Sequence, residues 1–325
     1  MKLPPPFFIV GSPRAGTTLL SQMLDRHSHI AVYHEAHYYP LFRSELRRYG
    51  DLRAPENLAR LIDDVREVVR VQGFLLPPPS REEFLEFLPE RSFEGVFAAL
   101  MRINALRNGK TRAGDKTPAH HAYLDEILER FPSSPVIFVI RDPRGAVPSI
   151  RTALRASLQG AARMWNEAYR SYSRLSGRVH LVRYEHLVAA PKETVQKICA
   201  VLGEEFEEDM LRFSERVPER LAVLPNFQKL LQDVDADAAN GFRRLPIGDV
   251  RQIEALCAEG MESLGYVFSA GKVSALPMPS ASKLHGVVDR LRYYGIDRKR
   301  WRRGWMRWKI LLRLRLRRPA EWHAQ

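Results

Sequence analysis

The stretch FFIVGSPRAGTTLLSQML, beginning at Phe7, admits few folds. Phe7 to Gly11 is a short apolar run ending in glycine, which reads as a buried strand. Ser12 to Gly16 follow as a loop, and Leu19, Leu20, Met23 and Leu24 recur at helical spacing, so a helix is expected to start near Thr17. Strand, glycine loop and helix in direct succession is the setting in which backbone N–H groups at a helix N-terminus hold a phosphate. Gly11 and Gly16 stand at the spacing of the nucleotide-triphosphate loop, G-x-x-x-x-G-K-[ST]. Thr17 and Thr18 occupy the next two places, so the lysine that reaches the outer phosphates is missing. A cation sits inside the loop instead, at Arg14. Such a loop suits a nucleotide with one 5′-phosphate group, gripped by arginine rather than by magnesium.

Other strong elements follow the same alternation. SPVIFVIRD is continuously apolar from Val136 to Ile140, the pattern of a parallel strand buried on both faces. It leads into Arg141 rather than a magnesium-binding aspartate, and a helix is expected from about Gly145. HLVRYEHL, from His180 to Leu187, reads as a third strand with a polar exit. Residues 40–110 read as helical and irregular. KETVQKICAVLG and VRQIEALCAEGMESLGY read as amphipathic helices, the first with a glycine stop at Gly203. The fold class expected is α/β, a P-loop-like three-layer sandwich with a mostly parallel central sheet and helices on both faces. No internal repeat is present.

Charge divides the chain. Residues 289–325 hold eleven Arg and two Lys against Asp289, Asp297 and Glu321, a net +10 of the total of +13. The first 288 residues are therefore near neutral, and the high isoelectric point does not make the protein a nucleic-acid binder. A linker is expected at 274–288, where SALPMPSASK is rich in Ser, Pro and Ala, between a main domain of residues 1–273 and a basic tail of residues 289–325. In the tail Trp301, Trp305, Trp308 and Leu312 share one helical stripe among basic residues, the pattern of a helix lying in a membrane interface. An anionic membrane surface is the partner expected there, ahead of the protein's own body or another protein, and no nucleic acid is expected. The apolar run from Phe7 is too short for a signal peptide or a membrane span. Cys199 and Cys257, the only two cysteines, make no disulfide framework. A cytoplasmic location follows as the expectation, peripheral at the inner face of the membrane through the tail.

SPRAGTT, RDPRGAVPS and VRYEHL, in that order, resemble the sulfotransferases that use 3′-phosphoadenosine-5′-phosphosulfate (PAPS). The resemblance runs from about Phe7 to Tyr266 and is strongest to the branch that contains tyrosylprotein sulfotransferases and many bacterial relatives. It implies that Ser12, Arg14, Ala15, Gly16, Thr17 and Thr18 bind the 5′-phosphosulfate end of the donor, and that Arg141 with Ser149 clamps the 3′-phosphate. Asp142 and Arg144 read as a structural pair at a helix start. The family's further Arg falls at Ala153 here, with Arg151 and Arg155 on either side as substitutes. Tyr184 matches a nucleotide-binding tyrosine, and Arg243 and Arg244 in NGFRRLP stand where the family has a basic, glycine-containing loop.

For the chemistry, the resemblance implies Lys116, in the turn AGDKTP, as a second cation near the bridging oxygen beside Arg14. Glu35, 21 residues after Arg14, falls at the spacing of the branch's catalytic glutamate, with His34 and His37 as rival bases. No metal site is expected, since His120 and His121 are adjacent and read as structural, and no metal is expected to be required. The expected activity is transfer of a sulfuryl group from PAPS to an acceptor hydroxyl on a glycan, lipid, tyrosine or metabolite, with residues 36–112 and 154–178 building the acceptor pocket. Two other classes compete: a magnesium-dependent P-loop enzyme transferring phosphate, and a membrane adaptor without catalysis. The absent lysine and the RDPRGAVPS clamp weigh against the first, and the joint presence of Arg14, Glu35 and Lys116 against the second.

Overall fold

The structure, a computed structural model, describes residues 4–213 and 241–269, together with Leu276 and Leu312. Apart from those two leucines, the expected linker and tail lie outside the described residues, and the Trp301–Trp305–Trp308 stripe with them. Five strands form one sheet in the order β2-β3-β1-β4-β5. They are β1 (Phe7–Gly11), β2 (Ile30–His34), β3 (Arg112–Lys116), β4 (Val136–Ile140) and β5 (His180–Arg183). β2 runs parallel to β3, with Ile30 opposite Arg112 and His34 opposite Lys116. β4 runs parallel to β5, with Ile137 opposite His180 and Ile140 opposite Arg183. The helices are α1 (Thr17–Asp25), α2 (Tyr38–Phe42), α3 (Pro55–Gln72), α4 (Arg81–Phe87), α5 (Phe93–Arg107), α6 (Leu124–Arg130), α7 (Pro143–Leu154), α8 (Leu158–Leu175), α9 (Tyr184–Ala189), α10 (Pro191–Leu202), α11 (Ile247–Leu256) and α12 (Ala258–Ser263). The α/β class with a mostly parallel central sheet is the one expected. Among the described residues no helix is long and apolar enough to cross a membrane.

The chain forms two compact units, which within the described residues are 4–8 with 28–134, and 9–27 with 135–213 and 241–269. Aromatic packing builds the first. The Phe8 and Phe97 rings stack at 5.5 Å, and Tyr38 lies 4.4 Å from Phe93 between ring centroids. The second is centred on Trp165, whose buried ring joins a cluster with Val147, Ile150, Ile253 and Met261. The Trp165 indole N–H donates to the carbonyl of Arg141 at 2.8 Å. A core side chain thereby fixes the backbone at the exit of β4, at Arg141.

Several boundaries differ from the sequence reading. Helix α7 starts at Pro143, before Gly145, because the Asp142 carboxylate caps it by accepting the Arg144 N–H at 2.9 Å and Pro143 fills the first helical position. β5 stops at Arg183, and Tyr184 opens a short helix that buries Leu187 and Val188, so YEHL is helical rather than strand. The helix read from Val250 to Tyr266 divides at Cys257 into α11 and α12. Its backbone bonds nevertheless run through the junction, from Cys257 N–H to Ile253 and from Met261 N–H to Cys257. β2 and β3 escaped the reading altogether.

Candidate active site

In the second unit the site begins where β1 ends. Gly11 has φ 147°, and a Cβ there would collide with the Val139 carbonyl, so only glycine lets β1 pass this close. The loop then turns, with the Ala15 N–H donating to the Ser12 carbonyl at 3.2 Å. Ser12 and Ala15 are buried, and the Ser12 hydroxyl bonds the Pro13 carbonyl at 3.2 Å. Arg14 sits in the left-handed region at φ 65°, and its Nε donates to Ser149 Oγ at 3.1 Å. Gly16, at φ 95°, caps α1 and exposes the helix N-terminus that Thr17 and Thr18 open. A Cβ on Gly16 would strike the Tyr184 ring. The Arg141 guanidinium lies over that same ring, 4.4 Å from its centroid.

Two sets of expected residues therefore meet: Arg14 with Ser149, and Gly16, Tyr184 and Arg141. Ser149, expected to join Arg141 at the 3′-phosphate, hydrogen-bonds Arg14 here. Arg144 and Asp142 are buried and paired at 2.6 Å, and Arg144 also meets Glu254 at 3.0 Å and the Phe242 ring at 4.2 Å. That is the structural pair expected. Arg243 and Arg244 are exposed in a helical turn at 241–244, and among the described residues the structure does not join either to the loop. Arg155 ends α7 at φ 53°, half-buried, while Arg151 is exposed.

The first unit carries the cation and the carboxylate. Lys116 is not a turn residue, as read from the sequence, but the last residue of β3, and it is completely buried. Its Nζ donates to Glu35 Oε1 at 2.8 Å and lies 3.4 Å from His34 Nε2. The other Glu35 oxygen lies 3.1 Å from His37 Nε2. The Glu35 side chain keeps 34% of its surface exposed, so the buried ammonium faces a carboxylate that solvent or a substrate reaches. Glu35 and His37 are left-handed, at φ 55° and 50°, which is uncommon for residues other than glycine and of the kind that clusters at functional sites.

The charges separate Glu35 from His34. Burial pushes the Glu35 carboxyl upward, but Lys116 beside it and the hydrogen bond from His37 outweigh that and hold it well below the usual carboxylate range. Burial, then Lys116, lowers His34 to about 3. At neutral pH His34 is therefore an uncharged ring, with little affinity for a proton. His120, one of the two adjacent histidines, is buried with Nδ1 2.9 Å from Asp115 Oδ2, a structural place as expected. Three contributors were missed by the sequence reading: Asp115, Thr117 and Gln72. The first two flank Lys116 in GDKTP and could have been noticed there; Gln72 closes α3 without any local signal.

One unit thus carries a phosphate-type loop at a helix N-terminus, and the other a buried ammonium paired with a carboxylate. The chain belongs to the sulfotransferase family, which it matches over residues 5–208. It is 27% identical over 226 residues to the nodulation protein NoeE of Sinorhizobium fredii (strain NBRC 101917 / NGR234), across 60% of this chain and 49% of that protein. The chain thus spans about half the length of the curated relative it matches. Among solved structures it is similar to the sulfotransferase domain of the Synechococcus PCC 7002 olefin synthase, with 25% identity and a TM-score of 0.58 over 82% of this chain and 97% of that one. The sulfotransferase domain from the curacin biosynthetic pathway shares the fold, with a TM-score of 0.56 and 22% identity over 82% of this chain and all of that one.

A carboxyl held below its ordinary value stabilises the fold above the unfolded value of about 4.3 and loses that contribution as pH falls through the lowered one. The stability difference between wild type and Glu35→Gln, from urea denaturation, should hold constant from neutral pH to about 4.3 and shrink below it. A difference that instead changes between pH 6 and 7 would assign the linkage to a histidine.

Proposed function

We propose that the donor is PAPS and that the acceptor is a hydroxyl group. The observation that carries this reading is the pairing around the lysine-free loop: Arg14 with Ser149, and Arg141 stacked on the Tyr184 ring that rests against Gly16. Two arginines held apart on separate partners suit a nucleotide with phosphate groups at two positions, 5′ and 3′. Loop N–H groups, Thr17, Thr18 and Arg14 would hold the 5′-phosphosulfate end, and Arg141 with Ser149 the 3′-phosphate. Arg243 and Arg244, standing where the family has a basic, glycine-containing loop, remain part of the proposed nucleotide set.

In the proposed reaction the acceptor oxygen attacks sulfur as the bond from sulfur to the bridging 5′-phosphate oxygen breaks. The electron pair of that bond stays on the bridging oxygen, giving adenosine 3′,5′-bisphosphate. The hydroxyl proton passes to Glu35. Lys116 and Arg14 balance the charge that grows on the leaving oxygen. Protonation of Glu35 removes the partner that holds Lys116, so the ammonium becomes available as the leaving oxygen acquires charge. His37, bonded to the other Glu35 oxygen, orients the carboxylate. No step in this scheme uses a metal. Residues 36–112 and 154–178 are proposed to shape the acceptor pocket. The basic tail is proposed to hold a cytoplasmic enzyme at an anionic membrane surface.

Calorimetry in excess EDTA should show much tighter binding of adenosine 3′,5′-bisphosphate than of AMP, and Glu35→Gln should keep that affinity while losing about 10² to 10⁴ in turnover. Equal affinities for the two nucleotides would remove the basis of the donor assignment. Truncation after Ser282 should preserve nucleotide binding and abolish sedimentation with anionic vesicles at low salt, each basic residue near the surface being worth about 1 kcal/mol. Full-length protein that ignores such vesicles would end the membrane reading.

A further inference from the structure

We infer that Asp115, Thr117 and Gln72 are positioning residues that hold the turn Glu35–Ala36–His37 in its left-handed backbone and so aim the Glu35 carboxylate at Lys116. The inference rests on the proposed role of Glu35 as proton acceptor. Side chains alternate along an extended strand, so a residue continuing β2 after His34 would point away from the face that His34 uses. His34 and Glu35 nevertheless both reach Lys116 Nζ, at 3.4 and 2.8 Å. The positive φ at Glu35 is what brings its side chain round.

Each backbone N–H of that turn has an acceptor in three consecutive residues at the end of β3. Glu35 N–H donates to the Lys116 carbonyl at 2.8 Å. Ala36 N–H donates to Asp115 Oδ1 at 3.2 Å, and His37 N–H to Thr117 Oγ1 at 3.3 Å. The Thr117 hydroxyl passes its own hydrogen to Asp115 Oδ1 at 3.0 Å, which links the two acceptors. On the carbonyl side, Gln72 Nε2 donates to Glu35 O at 2.9 Å and Ala36 O at 3.4 Å, while Tyr33 O–H donates to Gln72 Oε1 at 3.3 Å and orients the amide. Asp115 and Thr117 are fully buried, so water does not replace these bonds when they are lost. Two unfavourable left-handed residues are thus held by bonds from outside the turn, which is how such strain persists.

The test uses the full chain. Glu35 titration is followed by carbon NMR of glutamate-labelled protein, assigned with Glu35→Gln; Lys116, His34 and His37 are the charged or titratable groups facing that carboxyl. In Thr117→Val, which keeps shape but loses the hydroxyl, the Glu35 value should move up toward the ordinary value of about 4.3. Turnover from PAPS to p-nitrophenol should fall about ten- to hundredfold, with affinity for adenosine 3′,5′-bisphosphate unchanged. Thr117→Ser should restore both. Gln72→Met, at a half-buried helix end, serves if Thr117→Val does not fold, with the same two changes expected. An unmoved Glu35 value, or loss of function in Thr117→Ser equal to that in Thr117→Val, would overturn the inference. The carboxyl titration needs no donor, so it decides the positioning role even if wild type converts no PAPS, an outcome that would instead defeat the proposed reaction.

Discussion

An ammonium with no exposed surface ends β3, and the turn after β2 is arranged around it. Removing such a charge from water costs several kcal/mol, so it is found only where paired and hydrogen-bonded. Lys116 meets this condition through Glu35 and His34. Meeting it requires the chain after β2 to leave the extended conformation, which in turn requires acceptors for three turned N–H groups. Lys116 itself and its two neighbours, Asp115 and Thr117, supply all three. One buried cation therefore dictates the backbone of the turn, and the turn sets where a carboxylate stands and which protonation state it keeps.

In the second unit the controlling constraint is space. Gly11 allows β1 past the Val139 carbonyl, and Gly16 allows the Tyr184 ring against the loop. Tyr184 in turn carries Arg141 on its face, while Trp165 holds the Arg141 carbonyl from the core. Side chain and backbone of one arginine are thus fixed from two directions. Arg14 is fixed by Ser149 and by its own left-handed backbone. In the proposed donor site, arginines ordered in advance would lose little rotamer freedom on binding, which favours affinity.

Sequence patterns exposed the loop, β1, β4 and the helices after them, because there residue type follows burial. β3 was illegible for the opposite reason. RAGDK holds Arg112, Asp115 and Lys116, yet every position is buried. Arg112 donates to the Pro5 carbonyl at 2.7 Å, Asp115 faces His120, and Lys116 faces Glu35. Two of these partners, Pro5 and Glu35, lie far off in sequence, and periodicity carries no trace of them. β2 is only five residues, IAVYH, and leads almost at once into α2, so its apolar signal merged with the helical region beyond. Glu35 and Lys116 were still named individually through family resemblance, whereas their contact depends on two strands that the sequence did not reveal. Ser149 was matched as an anion ligand, but its partner Arg14 lies 135 residues away and was unreadable as such.

These residues are proposed to move a sulfuryl group from PAPS to a hydroxyl. Incubating the full chain with PAPS radiolabelled in its sulfuryl group and a lysate as acceptor source, then resolving products by chromatography and mass spectrometry, tests it most directly. The expected result is label on a hydroxyl-bearing acceptor, one equivalent of adenosine 3′,5′-bisphosphate for each group moved, and both formed about 10² to 10⁴ times more slowly with Glu35→Gln. Intact donor after prolonged incubation, or label recovered only as inorganic sulfate, would contradict it.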